Sequence, residues 1–360
     1  MVTNLKKEDN PFTLQFSYIP PQYVTREALI YSIEQDLNRK VPTFRGWFLT
    51  GVRGCGKTVL MADIANRIRK SDHWIVVDIE NPKNNLIASL ARGLYRENSL
   101  RKMFVNAKLD LSVLGLGVSI EKAELIASDE YDALYMMLRI LKKENKRILV
   151  TIDEVTYCEQ IADFSHSLSS YARADFDIYV LMTGLLQNVN AIKNDASLTF
   201  LYRAKLEELE PLNTTAVIHS YMQVFEIERE RAEQLAWFTK GYSFAFQLMG
   251  YLVWDSICET NEIHMETILP KYDQYLADFV YGKIWSELAP MEKTVLKEMA
   301  CTKDKRVQAV RERLSMNSSK FAVYRSRLIE KGLVDGREYG KVTFTLPRLE
   351  EFILSDGRQF

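Results

Sequence analysis

The sequence predicts an α/β chain: a parallel sheet wrapped by crossover helices, followed by an all-α segment and a small winged helix-turn-helix. Three observations predict it. Four short apolar runs alternate with helical stretches between residues 45 and 183, strand-like runs stop after Pro211, and three helices followed by a strand-turn-strand pattern close the chain.

The four runs are Arg45–Thr50, Trp74–Ile79, Arg147–Ile152 and Ile178–Thr183. Each is almost continuously apolar, the pattern of a parallel strand covered on both faces. Helical periodicity fills the gaps at Lys57–Lys70, Leu86–Arg96 and Glu159–Ala174. Asp110–Glu121 breaks the alternation. Its apolar and small residues around Gly115 and Gly117 predict a β-hairpin inserted at about residues 108–121, either a structural ribbon or a contact element for a partner. Helices are expected at Asn213–Phe225, Glu228–Thr239, Phe244–Glu259 and Glu266–Trp285. The closing unit reads as helices Pro290–Ala300, Lys305–Leu314 and Ser319–Lys331, then two strands within Leu333–Leu346 turning near Tyr339–Gly340. The expected domains are therefore 1–212, 213–286 and 287–360.

With 360 residues, 47% of them hydrophobic and 26% charged, the chain can bury two or three cores, which excludes fibrous, collagen-like and wholly disordered classes. The start is polar, no window is long and apolar enough to span a bilayer, and a cytoplasmic protein with no membrane partner is expected. Cys55, Cys158, Cys258 and Cys301 lie far apart without metal-ligand spacing and read as reduced thiols. The net charge of −1 hides an asymmetry: residues 291–348 carry +7 and the remainder −8, so an anionic partner is expected at that end.

The string Gly51-Val52-Arg53-Gly54-Cys55-Gly56-Lys57-Thr58 matches G-x-x-x-x-G-K-[ST] and lies between a predicted strand and a predicted helix. Its glycines let backbone N–H groups turn toward phosphate oxygens at a helix N-terminus, with Val59 completing the turn. Lys57 would reach the β and γ phosphates of ATP, and the Thr58 hydroxyl would hold Mg²⁺. Cys55, beside a helix N-terminus, is either a small tolerated residue or a thiol of lowered pKa. About 95 residues downstream, Ile148–Ile152 delivers Asp153 and Glu154 to a strand's C-terminal end, where open α/β sheets bind ligands. Asp153 would accept from Thr58 or metal-bound water, and Glu154 would polarise the attacking water.

These motifs resemble the Walker A and Walker B elements of AAA+ and related STAND ATPases, of the archaeal and origin-recognition-like kind. The resemblance implies a P-loop fold with a helical lid and winged helix, ATP and ADP as ligands, slow hydrolysis of the β–γ bond, and homo-oligomers or protein partners. Pro20–Leu29 resembles the base-binding segment, which places Tyr23 and Arg26 near adenine, with Thr25 replacing the family's glycine. Thr183 is similar to the sensor that feels the γ-phosphate or the lytic water. Arg203 in Leu201–Leu212 matches an arginine finger or sensor, or is a surface cation. Gly241-Tyr242-Ser243 falls where relatives carry Gly-x-Pro or a sensor arginine; here Ser243 replaces the proline, which argues against fast, lid-assisted turnover.

On the last predicted helix Lys320, Tyr324 and Arg327 share a face, with Ala322, Leu328 and Ile329 expected inward and Arg337 and Lys341 flanking the wing turn. That face suits the phosphates of duplex DNA. The sequence is compatible with two functions: a nucleotide switch acting on DNA, and a STAND-type signalling or defence scaffold that oligomerises on ATP without DNA.

Overall fold

The four apolar runs align side by side in the computed structural model, which describes residues 6–15, 18–115 and 125–356. The chain divides into two compact units, one of residues 27–50 and 57–208, the other of the chain up to Arg26, the loop 51–56, and everything from Leu209 onward.

The first unit is built on a five-stranded sheet: β1 (Gly46–Thr50), β2 (Trp74–Ile79), β5 (Arg147–Ile152), β6 (Ile178–Gly184) and β7 (Lys205–Glu208). The order is β2-β5-β6-β1-β7 and every pairing is parallel. Central strands β1 and β6 are buried at every residue, whereas the edge strand β7 alternates, as one covered face requires. Helix α1 (Glu27–Leu37) precedes the first strand, and the connections between strands carry α2 (Lys57–Ile68), α3 (Leu86–Arg96), α4 (Asn98–Asn106), α5 (Glu130–Lys143), α6 (Glu159–Arg173), α7 (Leu186–Lys193) and α8 (Thr199–Tyr202). Leu134, Met137, Leu138 and Leu141 of α5 form a helical stripe against the sheet, as do Ile161, Phe164 and Leu168 of α6. Asn85 caps α3 by accepting from the Ala88 N–H at 3.0 Å.

The expected hairpin at 108–121 is only partly within the described residues. The short strand β3 (Leu109–Asp110) pairs in parallel, not antiparallel, with β4 (Leu125–Ile126). Ser112–Leu114, read as strand, form a 3₁₀ turn closed by Gly115 at φ 68°. Residues 116–121 lie outside the described set.

The second unit begins with α9 (Thr214–Phe225), α10 (Arg229–Thr239), α11 (Ser243–Thr260), α12 (Met265–Leu276) and α13 (Gly282–Glu287), with a π-helical turn at Ala277–Tyr281 between the last two. The amino-terminal arm belongs here by packing. Phe12, 2% exposed, stacks on Phe225 and meets Phe246 edge-on, and a Cβ on Gly250 would sit 2.4 Å from its ring. Gln247 accepts from the Thr13 N–H and donates to the Gln22 carbonyl. The compact units thus cut across the expected boundary at 212, because an aromatic residue near the start is buried among helices far along the chain.

The same unit ends with α14 (Pro290–Cys301), α15 (Val307–Arg313), α16 (Ser318–Glu330), an antiparallel pair β8 (Val334–Asp335) and β9 (Thr343–Phe344), and α17 (Leu349–Asp356). Phe321 and Leu328 are the inward residues of α16. Ala322 and Ile329, expected inward, are exposed: seven residues separate the two buried side chains, and the stripe runs through Tyr324 and Arg325 instead.

Candidate active site

Strand register creates the first half of the site. Ile152 of β5 lies opposite Met182 of β6, so the next residues, Asp153 and Thr183, emerge together at the carboxyl edge of the sheet. Asp153 accepts through both oxygens. The Thr58 hydroxyl in the first turn of α2 donates to Oδ2 at 2.9 Å, and the Thr183 hydroxyl donates to Oδ1. Thr183 in turn accepts from the Glu154 N–H at 3.0 Å. Fully buried, Thr183 is therefore engaged as donor and acceptor behind the carboxylate, not presented at the open face.

Glu154 is exposed and held at φ 51°, a left-handed conformation that a non-glycine residue adopts only where its surroundings enforce it. Here the enforcing contacts are the two acceptors of its N–H, Thr183 Oγ1 and Asp153 Oδ1. The bend takes the Glu154 side chain off the strand's alternation. The Thr58 hydroxyl and Asp153 carboxylate are hard oxygen donors, and no cluster of three or more His, Cys, Asp or Glu occurs among the described residues. That donor set suits Mg²⁺, which keeps its waters and takes phosphate oxygens rather than filling an all-protein cage.

The second half is the loop Gly51–Gly56. Gly51, Gly54 and Gly56 have φ of 146°, 79° and 92°, conformations closed to other residues without strain. Around it, within the same compact unit, the loop's carbonyls are occupied. Tyr242 donates its hydroxyl to the Arg53 carbonyl, the Phe244 N–H donates to Gly54 at 3.1 Å, and Ser243 Oγ donates to Cys55 at 2.8 Å. Arg26 Nη2 also donates to the Cys55 carbonyl at 3.1 Å and to Glu210 at 2.9 Å, and burial lowers its guanidinium pKa. Burial likewise pushes the Tyr242 phenol well up. Lys57, Thr58 and Val59 continue the motif as the half-buried first turn of α2.

The remaining candidates are dispersed. Tyr23 is half-buried beside the Arg26 segment. Arg203 is exposed at the carboxyl end of α8. In the closing segment Lys320 and Arg327 are exposed, Arg327 lies 5.8 Å from the Tyr324 ring centroid, Arg337 pairs with Asp335 at 2.6 Å, and Lys341 pairs with Glu338 at 2.6 Å. Sequence reasoning missed Tyr242 and Ser243 as partners of the loop. Their signal was available as two hydroxyls at a helix start next to a glycine, in the segment noted only for its missing proline.

The family model described as an ATPase domain predominantly from Archaea matches residues 23–177, which include the loop and the Asp153–Glu154 pair. Residues 23–177 thus match an archaeal-type ATPase domain. A second model, of a domain of unknown function, matches residues 278–353. A search of curated proteins finds no match. Among solved structures, the Walker-type ATPase of Pyrococcus abyssi matches at 14% identity and TM-score 0.66, covering 93% of this chain and 96% of that one. The ORC2 protein of Aeropyrum pernix, in its ADPNP–ADP complexes, matches at 14% identity and TM-score 0.61, covering 95% and 96%. CDC6P from Pyrobaculum aerophilum matches at 13% identity and TM-score 0.50, covering 95% and 96%. The chain thus shares the fold of these proteins over nearly its whole length, and no described helix is long and apolar enough to cross a membrane.

Proposed function

We propose that this nucleotide-dependent ATPase is a slow molecular switch that hydrolyses the β–γ bond of ATP and transmits its nucleotide state to the carboxyl-terminal segment, a winged helix. The observation that carries the reading is the Thr58–Asp153–Thr183–Glu154 chain of hydrogen bonds on one sheet edge, attached through Thr58 to a glycine loop of phosphate-binding sequence.

In this reading the loop N–H groups and Lys57 bind the triphosphate. Thr58 and Asp153 would hold Mg²⁺, which when bound would supply positive charge against the β and γ phosphates. Glu154 accepts the hydrogen bond of the attacking water and orients it in line with the leaving oxygen. Arg203, exposed at the carboxyl end of α8, would serve as an arginine finger or sensor, for its own site or for that of a neighbouring copy. Lys57→Ala should abolish binding of a fluorescent ATP analogue, and Glu154→Gln should retain binding while turnover falls at least about a hundredfold. Normal turnover in Glu154→Gln would remove that residue from its role.

For the winged helix, exposed Lys320 and Arg327 support duplex DNA as the partner. The contrary reading, a scaffold that oligomerises without DNA, is favoured by the internal pairing of Arg337 and Lys341 and by contacts that tie this segment to the loop: Arg53 pairs with Glu287 at 3.5 Å, and a Cβ on Gly332 would meet the Val52 side chain at 2.3 Å. Duplex affinity measured by anisotropy should fall steeply as salt rises, and the double change Lys320→Ala, Arg327→Ala should lower the log–log slope by about two. Absence of duplex binding at low salt, together with a size change on adding ATP, would establish the scaffold.

A further inference from the structure

We infer that Tyr242 and Ser243, with Arg26, are positioning residues that set the phosphate-binding loop in its anion-receiving form by holding its carbonyls from behind. Three successive carbonyls, those of Arg53, Gly54 and Cys55, each accept a hydrogen bond from the first residues of α11 or from its amino-terminal cap residue Tyr242. The Cys55 carbonyl accepts a second from Arg26.

The consequence follows from peptide geometry. In a trans peptide the carbonyl of one residue and the N–H of the next point in opposite directions within one rigid plane, and no cis bond occurs among the described residues. Fixing the Arg53 carbonyl toward Tyr242 therefore aims the Gly54 N–H the other way. Fixing the Cys55 carbonyl toward Ser243 and Arg26 does the same for Gly56. The Cys55 N–H turns back to Val52 at 3.3 Å, closing the loop. The Gly54 and Gly56 N–H groups make no hydrogen bond to any described residue, so the clamp presents two donors on the face away from α11.

Steric fit agrees with this assignment. A Cβ on Gly54 would lie 2.2 Å from the Tyr242 oxygen, and one on Gly56 would lie 3.2 Å from Ser243 Oγ, so the hydroxyls are seated directly against the loop backbone. Tyr242 is 5% exposed, which keeps water from competing for the Arg53 carbonyl. The substitution of serine for the proline expected in this segment is then a gain of a donor. A proline at 243 would remove the Ser243 hydroxyl from the Cys55 carbonyl.

The inference rests on the proposal that this loop binds nucleotide, and the test separates the two. Equilibrium titration of the full chain with fluorescent ADP, and competition by pyrophosphate, are measured for wild type, Tyr242→Phe, Ser243→Ala, Ser243→Thr, the Tyr242→Phe/Ser243→Ala pair and Lys57→Ala. Each lost hydroxyl should weaken binding about fivefold, and the pair roughly twenty-fivefold, because a neutral hydrogen bond contributes about 1 kcal/mol. The loss should be equal for ADP and pyrophosphate, since the loop touches only phosphate, and Ser243→Thr should restore affinity. A role in packing alone would lower the melting temperature of the free protein and leave the affinity of the folded fraction unchanged. Wild-type affinity in the double variant, with binding lost in Lys57→Ala, overturns the clamp and spares the loop. Wild-type affinity in Lys57→Ala overturns both. Should the double variant not fold, equal affinities of Ser243→Ala and Ser243→Thr refute the clamp by themselves.

Discussion

Thr183→Val separates two ways in which a hydroxyl at this strand end can serve hydrolysis. The substitution keeps the branched shape in a fully buried position and removes one oxygen. That oxygen donates to the Asp153 carboxylate and accepts from the Glu154 N–H. A hydrogen bond to a charged partner contributes about 1.5–3 kcal/mol and a neutral one about 0.5–1.5 kcal/mol. Neither partner is wholly abandoned: Asp153 Oδ2 keeps Thr58 at 2.9 Å, and the Glu154 N–H keeps Asp153 Oδ1 at 3.1 Å. The loss in organisation should therefore sit near about 2 kcal/mol, or roughly thirtyfold. Because it falls on the orientation of the carboxylate proposed to hold Mg²⁺, the magnesium concentration for half-maximal turnover should rise by about that factor. Affinity for ADP without magnesium should stay within twofold, and Thr183→Ser should behave as wild type. Steady-state phosphate release across a magnesium series, alongside a metal-free ADP titration, reads all three. If turnover falls while the magnesium requirement is unchanged, Thr183 acts on the lytic water or the γ-phosphate and the geometric argument is refuted.

Gly54→Ala combines a left-handed φ of 79° with a contact 2.2 Å from the Tyr242 oxygen, so it should lower the thermal midpoint of the free protein and weaken nucleotide binding together. Adding Tyr242→Phe should recover part of the stability loss, a non-additive result that calorimetry on the four variants of the cycle would reveal; strict additivity would mean the oxygen does not meet residue 54. Asp36→Asn tests a different part of the first unit. Burial pushes the Asp36 carboxyl up, but hydrogen bonds from Thr43 and from the Phe44 N–H outweigh it and hold the group below the usual carboxylate range. A carboxylate with a depressed folded pKa stabilises the protein above its unfolded pKa of about 4, and that contribution disappears as pH falls through the folded value. Denaturant unfolding should therefore show a deficit of about 1–2 kcal/mol for the variant at pH 7 that shrinks below pH 4; a pH-independent deficit would assign it to shape rather than charge.

The sheet was legible because its signal is local. Leu86–Arg96 is helical over the range its periodicity predicts, and four almost continuously apolar runs match four largely buried parallel strands, since burial on both faces leaves little room for polar alternation. The edge strand Lys205–Glu208, half-polar and only four residues long, carries no such run. The arm containing Phe12 was not legible at all. Nothing in residues 6–15 states that its ring will be enclosed by Phe225 and Phe246, contacts more than two hundred residues away in sequence.

The candidate site residues divide along the same physical line. Glycines, Lys57 and Thr58 can be read because their chemistry depends on spacing along one loop, and Asp153 because strand ends are predictable. What orients them is set by register and by packing between distant segments. Thr183 reaches Asp153 only because β6 lies beside β5 with Met182 opposite Ile152, and Tyr242 reaches Arg53 across nearly two hundred residues. A motif therefore specifies which atoms face a phosphate, while the partners of its carbonyls and carboxylates decide whether those atoms are already in place. Ser243 shows why the distinction matters: judged against a family pattern it is a missing proline, and judged by its 2.8 Å bond to the Cys55 carbonyl it is part of the loop's support. Replacing it by the patterned residue, Ser243→Pro, should consequently weaken phosphate binding rather than improve turnover.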